Sequence, residues 1–292
     1  MTHLTAKLWT ELPDALHHKG EPSDWAKMTR PRQAMHSFLE AAFFDKDAAL
    51  WLSDVPYGRV FRIAPTGEWE VMHQIEGEPH AMRISPEGRR IAVDYRHGLI
   101  ELIGPSDFEV ISSGENTPFL GLSDMAYGPD GVLWFTDSGR SSLSNPSGRV
   151  YRWHNGVLRL VLDCVPYANG ISVSPDNAWV YVAATRANQI WKFSTRLPEA
   201  RAPMVGTYLQ LSGGLGPDGL ACNALGWLAV AQAQAGRAYV YDAVGDIVAQ
   251  VRLPRGLWTT SVTFRPDNPQ QLIIVDAQFG GVFTCDIPNP RT

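Results

Sequence analysis

One sequence motif recurs six times along this chain, and it limits the possible folds more than any other feature. Each copy has a polar residue, an alternating apolar stretch, a Pro-Asp-Gly-like turn, a second apolar stretch, and a small or polar loop before a third. The polar residues are, in order, Glu40, His80, Ser123, Asn169, Asp218 and Thr260. They lie 40, 43, 46, 49 and 42 residues apart, which is the spacing of propeller blades.

Within each copy, a turn signal joins two runs that have the composition of β-strands. Turns are expected at 85–88, 128–131 and 174–177, where proline fixes φ and glycine or asparagine tolerates a positive φ. The flanking runs are rich in Val, Ile, Trp and Phe. Three or four antiparallel strands, repeated six times, predict an all-β, six-bladed β-propeller. Blades from about 36 to 287 use nearly all of the 292 residues, so we expect one domain over 1–292.

Composition argues against several classes of partner. The net charge of -5 and the pI near 5.9 do not predict a nucleic-acid-binding surface. No apolar run is long enough for a membrane span, and the N-terminus has no signal-peptide core. The odd set Cys164, Cys222 and Cys285 is interpreted as small buried residues rather than as a disulfide or metal set. We expect a cytoplasmic enzyme or binding protein, a monomer or weak dimer.

Blade geometry is expected to bring the six polar residues together. The first strand of a blade lies nearest the channel, so they meet at one channel mouth, where the loops after the second strands also arrive. The opposite face is expected to hold only turn residues. The aromatic residues expected near the mouth are Tyr57, Tyr95, Phe119, Tyr167, Trp258 and Phe279. Arg140 and Arg186 are candidates to bind a carboxylate or ring oxygen, with plain solvation as the alternative.

The polar set at the mouth has the composition of a cation site. Glu40 and Asp218 are carboxylates, and two carboxylates held close in a partly dry site repel each other unless a cation lies between them. With Asn169 they offer only oxygen ligands, which suit Ca²⁺, Mg²⁺ or Mn²⁺. The alternative is that the six polar side chains only hydrogen-bond strand ends, and both interpretations stay open.

Three phrases resemble the gluconolactonase and regucalcin (senescence marker protein) family of six-bladed propellers, and more distantly diisopropylfluorophosphatase. They are Ala-Asn-Gly-Ile-Ser-Val-Ser-Pro-Asp at 168–176, Pro-Asp-Gly-Leu-Ala at 217–221 with Gly-Trp-Leu-Ala-Val-Ala at 226–231, and Thr-Thr-Ser-Val-Thr-Phe at 259–264. The resemblance covers about residues 36–287. It implies one divalent metal ion, calcium first and Mg, Mn, Zn or Fe as alternatives, with Glu40, Asn169 and Asp218 as ligands. It also implies that Asp218 is the general base.

Three positions depart from the family pattern. Glu40 is followed by alanines rather than surrounded by Gly and Pro, but it keeps its distance from the second strand, so we retain it as a ligand. The third blade has Ser123-Asp124 where Asn-Asp is usual, so either Ser123 acts through water or Asp124 has a larger role. The second blade has His80 in place of Asn; it orients substrate, acts as a base, or is satisfied by backbone.

The chain before the first blade divides into two parts. Leu4 to Thr10 are expected to add an outer strand to the last blade. Residues 11–36 form either a lid over the mouth, with Trp25 and Met28 touching the substrate, or a surface excursion.

The expected activity is the opening of a lactone ring, of a sugar acid or of a more apolar or aromatic compound, by metal-activated water. No Gly-x-Ser-x-Gly motif supports a serine nucleophile. The alternatives are a phosphotriesterase-like hydrolase, a strictosidine-synthase-like enzyme, and a non-catalytic propeller that binds Ca²⁺ or a small ligand.

Overall fold

Six sheets surround a central channel in the computed structural model, which describes residues 1–114, 117–197 and 203–289. The chain begins with β1 (Thr2–Thr5) and β2 (Lys7–Glu11). Blade 1 comprises β3 (Leu39–Phe44), β4 (Leu50–Asp54), β5 (Arg59–Ile63) and β6 (Trp69–Gln74). Blade 2 comprises β7 (Pro79–Ile84), β8 (Arg90–Asp94), β9 (Gly98–Leu102) and β10 (Phe108–Ser112). Blade 3 comprises β11 (Leu122–Tyr127), β12 (Leu133–Asp137), β13 (Gly148–His154) and β14 (Val157–Val165).

The second half of the chain repeats this arrangement. Blade 4 comprises β15 (Ala168–Val173), β16 (Trp179–Ala184), β17 (Gln189–Ser194) and β18 (Gly206–Gln210). Blade 5 comprises β19 (Gly216–Cys222), β20 (Leu228–Ala233), β21 (Arg237–Tyr241) and β22 (Ile247–Arg252). Blade 6 comprises β23 (Thr259–Phe264), β24 (Gln271–Asp276) and β25 (Gly281–Asp286). The first strands of neighbouring blades contact one another around the whole ring. The six-bladed propeller is confirmed.

The N-terminal strands join the two ends of the chain. β2 pairs antiparallel with β25 and supplies the outer strand of blade 6, as expected. β1 instead pairs parallel with β22 and adds a fifth strand to blade 5. Between β2 and blade 1 lie a 3₁₀ turn (Asp14–Leu16) and the short helix α1 (Asp24–Thr29), whose N-cap is Ser23. Two further 3₁₀ turns follow second strands, at Val55–Tyr57 and Thr185–Ala187.

The hydrophobic core is divided into six clusters, one between each pair of neighbouring blades. Successive residues of a strand point to opposite faces of its sheet. In β24, for example, Ile273 and Val275 pack toward blade 1, whereas Leu272 and Ile274 pack toward blade 5. Both faces of a blade are therefore buried, which explains the nearly continuous apolar runs in the sequence.

The three turns predicted from sequence have the expected hydrogen bond and backbone conformation. Gly88 N donates to Ser85 O, Gly131 N to Gly128 O, and Asn177 N to Ser174 O, each at 2.9 Å. The φ angles of Gly88, Gly131 and Asn177 are 84°, 77° and 55°. These turns lie at the face opposite the polar mouth.

A β-bulge beside the polar position recurs in every blade. The pairing of the first and second strands shifts register next to Glu40, His80, Ser123, Asn169, Asp218 and Thr260. Such a bulge bends the strand and re-aims the neighbouring side chain. The irregularity explains how a residue inside an otherwise buried strand turns toward the channel.

The three cysteines are free, as the sequence predicted. The prediction that all three are buried is wrong for Cys164, which is exposed because it lies on β14, the outer edge of blade 3. Cys222 is half-buried and Cys285 is buried. In the described part of the chain, no helix has the length and apolar character needed to span a bilayer.

Candidate active site

A cavity of about 820 Å³ opens at the polar mouth of the channel. Its walls include five of the six polar side chains singled out in the sequence, namely Glu40, His80, Ser123, Asn169 and Asp218. Thr260 is not among them, because its hydroxyl donates to Leu39 O (2.6 Å) and joins the first and last blades. The structure therefore brings the predicted metal ligands together at the inner end of one cavity.

Neighbouring side chains at the inner end of the cavity are linked in two groups. His80 Nδ1 lies 3.0 Å from Glu40 Oε2. Ser123 Oγ donates to Asn169 Oδ1 (2.8 Å), and the side chain of Asn169 in turn hydrogen-bonds to Asp218. His80 Nε2 is buried without a hydrogen-bond partner in the described residues, so it is available to a ligand.

Burial and mutual repulsion set the charge states of this group. Burial, followed by the charges of Glu40 and Asp124, holds the pKa of Asp218 well above its ordinary range. Burial lowers the pKa of His80, but Glu40 outweighs this effect and the net pKa is raised. Burial, together with Glu40 and Asp218, raises the pKa of Tyr167 to about 12. Both the Asp218 and His80 pKa shifts favour the protonated form, so they reduce the negative charge at the inner end of the cavity.

The donor set fits a hard divalent cation. Among the described residues, no three His, Cys, Asp or Glu side chains are grouped to hold a metal. The predicted set differs in kind, since it has the carboxylates of Glu40 and Asp218 and the amide of Asn169. Oxygen donors alone suit Ca²⁺ or Mg²⁺, and the repulsion that raises the Asp218 pKa is what a bound cation would relieve.

Close approach of the inner strands of blades 4, 5 and 6 requires glycine next to the predicted ligands. A Cβ on Gly170 would lie 2.0 Å from Asp218 O, and one on Gly219 would lie 2.8 Å from Thr260 O. The Asn-Gly and Asp-Gly pairs therefore let β15, β19 and β23 pack closely enough to place Asn169 beside Asp218.

Asp124, a predicted catalytic residue, does not line the cavity. Its carboxylate accepts from Met125 N (2.8 Å) and Ile171 N (3.1 Å) and lies 3.6 Å from Arg83 Nη2. Because its bonds are directed to the backbone and to Arg83, Asp124 supports the inner strands and adds negative charge behind Asp218.

The predicted aromatic rim is present in part. Tyr95, Tyr167 and Trp258 line the cavity, and so do Arg140 and Arg186. Tyr167 has a φ of 63°, a strained conformation for a bulky residue, and its N–H is held by Ser141 Oγ (2.9 Å).

Three aromatic residues expected at the rim lie elsewhere. The Tyr57 hydroxyl donates to Met35 O (2.5 Å), so its ring turns away from the cavity. Phe279 is exposed outside the cavity, with the Arg255 guanidinium 5.6 Å from its ring centroid. Phe119 packs into the core between blades 2 and 3.

Residues 11–36 contribute one side of the mouth. Trp25 and Met28 of α1 line the cavity, as the sequence suggested. Trp25 packs against Phe38 (centroids 5.1 Å apart) and meets His80 edge-on (6.0 Å). Trp25, Phe38, Val55 and Ala277 form a small apolar cluster, which is separate from the six clusters between the blades.

Sequence reasoning singled out neither Arg30 nor Phe38, although both line the cavity. Arg30 is the most informative, because it is only 8% exposed. Burial lowers its pKa to about 10, although Glu40 and Asp218 act in the opposite direction. The sequence did contain a signal for Arg30, since it is a basic residue close to Trp25 and Met28 within residues 11–36.

The opposite face is not limited to turn residues, contrary to the expectation. A second cavity of about 820 Å³ lies there, and its walls include Phe43, Trp51, Arg83, Tyr127 and Cys222. It forms because the far ends of the inner strands also spread apart around the channel. Arg83 connects the two ends, since it lines this cavity and faces Asp124.

Comparison with known proteins agrees with the fold. Lactonase drp35 of Staphylococcus aureus (strain MW2) is 27% identical over 263 residues, which cover 83% of this chain and 80% of that relative. Lactonase drp35 of Staphylococcus haemolyticus is 27% identical over 254 residues, or 80% of this chain and 77% of the relative.

Two solved structures have the same fold. One is regucalcin from Agrobacterium tumefaciens, described as a calcium-binding protein, with a TM-score of 0.77, 19% identity, and coverage of 98% of this chain and 96% of that one. The other is a gluconolactonase from Xanthomonas campestris, with a TM-score of 0.74, 19% identity and 87% coverage of both chains. The profile of the SMP-30/Gluconolactonase/LRE-like region matches residues 39–278. Because that match spans most of the chain, the protein belongs to the SMP-30/gluconolactonase/LRE-like family.

Proposed function

We propose that the protein is a metal-dependent hydrolase that opens lactone rings. The observation that carries this proposal is the convergence of Glu40, Asn169 and Asp218 at the inner end of one cavity. The relatives named lactonase, and the structural neighbours described as a calcium-binding regucalcin and a gluconolactonase, support it.

The residues that would hold the cation are Glu40 and Asp218 through carboxylate oxygens and Asn169 through its amide oxygen, with calcium as the first candidate. When bound, the cation polarises the lactone carbonyl and lowers the pKa of a water molecule. Ser123 acts by orienting the amide of Asn169, to which it is hydrogen-bonded.

Two side chains move protons in the proposed reaction. The carboxylate of Asp218 accepts a proton from the water that attacks the carbonyl carbon. The bond between that carbon and the ring oxygen then breaks, and His80 donates a proton to the leaving oxygen through Nε2, which has no other partner. The Glu40 carboxylate, 3.0 Å from Nδ1, stabilises the protonated imidazole. The product is a hydroxy acid, whose ionisation releases one proton for each ring opened.

The walls of the cavity favour a flat aromatic lactone over a sugar lactone. Trp25, Tyr95, Tyr167 and Trp258 present aromatic surface, which stacks on planar rings. Residues 11–36 serve as a lid in this proposal, since Trp25 covers His80. Deleting residues 15–32 is expected to raise KM; an unchanged KM in a folded protein would reject the lid.

The test combines turnover with metal binding. Proton release is measured with a pH indicator on lactones from gluconolactone to dihydrocoumarin, after chelation and then with Ca²⁺, Mg²⁺, Mn²⁺ or Zn²⁺ restored. Calorimetry measures Ca²⁺ binding to the protein, to Asp218→Asn, and to Asp47→Asn, a largely exposed control carboxylate. Metal-restored turnover, lost only in Asp218→Asn, is the expected result. Ca²⁺ binding without turnover on any lactone would instead indicate a non-catalytic binding protein.

A further inference from the structure

We propose that the lactones opened by this protein carry a carboxylate, which Arg30, Arg140 and Arg186 bind at the mouth of the cavity. This inference rests on the proposed lactonase function and names its substrate class. All three arginines line the cavity, and none has an Asp or Glu partner within ion-pair distance among the described residues. Six other arginines do have one, namely Arg59, Arg62, Arg83, Arg89, Arg149 and Arg255.

Arg30 leaves a carboxylate-binding edge unused. Its Nε and Nη2 are buried and have no hydrogen-bond partner in the described residues. In Arg59 the same two nitrogens contact the carboxylate of Asp54, and in Arg149 they contact the carboxylate of Asp137. A buried guanidinium that lacks such a partner is costly, and the geometry of this edge matches a carboxylate. The missing partner is therefore best supplied by a ligand.

The surroundings of Arg30 hold it ready at the cavity wall. Its guanidinium packs on the ring of Trp258 and lies 5.1 Å from the Phe38 centroid, so cation–π attraction keeps the charge there without an acid. Because Arg30 already lines the cavity, a small movement of its long side chain brings the unused edge of the guanidinium to a ligand. The aromatic faces are then free to stack on the body of the lactone.

Charge is distributed unequally along the cavity, and this sets the orientation of a ligand. The inner end has the carboxylates of Glu40 and Asp218. The lip has Arg140 and Arg186, both exposed, with Arg186 lying 5.5 Å from the Tyr167 ring centroid. An anionic substituent is attracted to the arginines at the lip, so the lactone carbonyl faces inward.

The experiment compares two dihydrocoumarins that carry a carboxylate or a carboxamide at the same aromatic position. We expect a higher kcat/KM for the carboxylate. Arg30→Gln and Arg186→Gln should each lower the carboxylate-to-carboxamide ratio of kcat/KM by about 10- to 100-fold. Arg252→Gln, at an exposed arginine at the end of β22 in blade 5, should leave the ratio unchanged. Equal losses on both compounds, or no preference in the unmodified protein, would overturn the proposal.

A binding measurement separates this inference from the proposed function. Calorimetry with the matching lactams, which resist ring opening, should show tighter binding of the carboxylate and loss of that preference in Arg30→Gln. If Arg30 only balances Glu40 and Asp218, its replacement would instead tighten Ca²⁺ binding and affect both lactams equally.

Turnover of dihydrocoumarin without carboxylate preference rejects this inference alone. Carboxylate preference in the lactams without turnover of any lactone rejects the hydrolase and retains the binding site. Arg186→Gln keeps the test open if Arg30→Gln does not fold.

Discussion

Two sets of polar residues recur through the blades, and they differ in what their side chains bind. The channel ring is Glu40, His80, Ser123, Asn169, Asp218 and Thr260. The strand-end ring is formed by aspartates that end the second strand in four blades, Asp54, Asp94, Asp137 and Asp276. Both sets are visible in the sequence as regularly spaced polar positions, so spacing alone does not separate their roles.

The strand-end ring is used by the protein itself. All four aspartates are fully buried, and each accepts from a backbone N–H that precedes the inner strand of its own blade. Asp137, for example, accepts from Leu120 N and Gly121 N at 2.8 Å and from Arg149 Nε at 2.7 Å. These carboxylates fix the chain as it enters the channel.

The channel ring, by contrast, bonds mainly within itself and faces the cavity. His80 contacts Glu40, and Ser123 donates a hydrogen bond to Asn169. Within this ring, only the Thr260 hydroxyl donates to a backbone carbonyl. A repeated polar position therefore points to chemistry only where the backbone does not already satisfy it. The following substitutions test this difference.

The largest expected effect is on activity, from Asp218→Asn in the channel ring. Loss of the general base and of a cation ligand should lower kcat/KM by on the order of 10³- to 10⁴-fold. The free energy of unfolding should not fall in the metal-free protein, because the change removes one of two carboxylates that repel each other. Lactone proton release and urea unfolding measure the two quantities. Retained activity in a folded protein would contradict the proposed role.

Asp137→Asn in the strand-end ring should have the reverse effect. It leaves Arg149 buried without a charged partner, so we expect a loss of about 3–5 kcal/mol in the free energy of unfolding. The kcat/KM of the folded protein should stay within a few-fold of the original. The control is Asp163→Asn, at an exposed carboxylate on β14 of the same blade. A large loss of activity without loss of stability would erase the distinction between the rings.

A smaller effect on stability is expected where β15 and β19 are in contact. Gly170→Ala places a Cβ against Asp218 O and should cost about 1–3 kcal/mol, as overpacking usually does. It should also weaken Ca²⁺ binding, because Asn169 and Asp218 are forced apart. Gly206→Ala is the matched control, since a Cβ there would meet no atom within 4 Å. Equal stability of the two variants would show that the strands can separate freely.

The sequence predicted the repeated positions and, in the segment outside the blades, suggested Trp25 and Met28 but not Arg30. The channel ring was visible because its residues recur at a regular spacing along the chain, and this spacing can be found without knowing any side-chain contact. Arg30 lies in a segment with no equivalent in any blade, so nothing placed its side chain. Tyr57 and Phe279 are in the expected loops, but contacts with Met35 O and Arg255 turn their rings away, and these contacts are tertiary.

The smallest effect concerns Ala41, where blade 1 departs from the family pattern. Its φ of 55° is a left-handed conformation that costs an alanine about 1 kcal/mol and glycine nearly nothing. Ala41→Gly should therefore raise the free energy of unfolding by up to about 1 kcal/mol. Ala81→Gly, at the same position of blade 2 and without a positive φ, should lower it. Urea unfolding of both variants gives the comparison. A stability gain with a loss of kcat/KM in Ala41→Gly would mean that backbone strain holds Glu40 in place, whereas a gain in stability alone would mean that the carboxylate is positioned by His80.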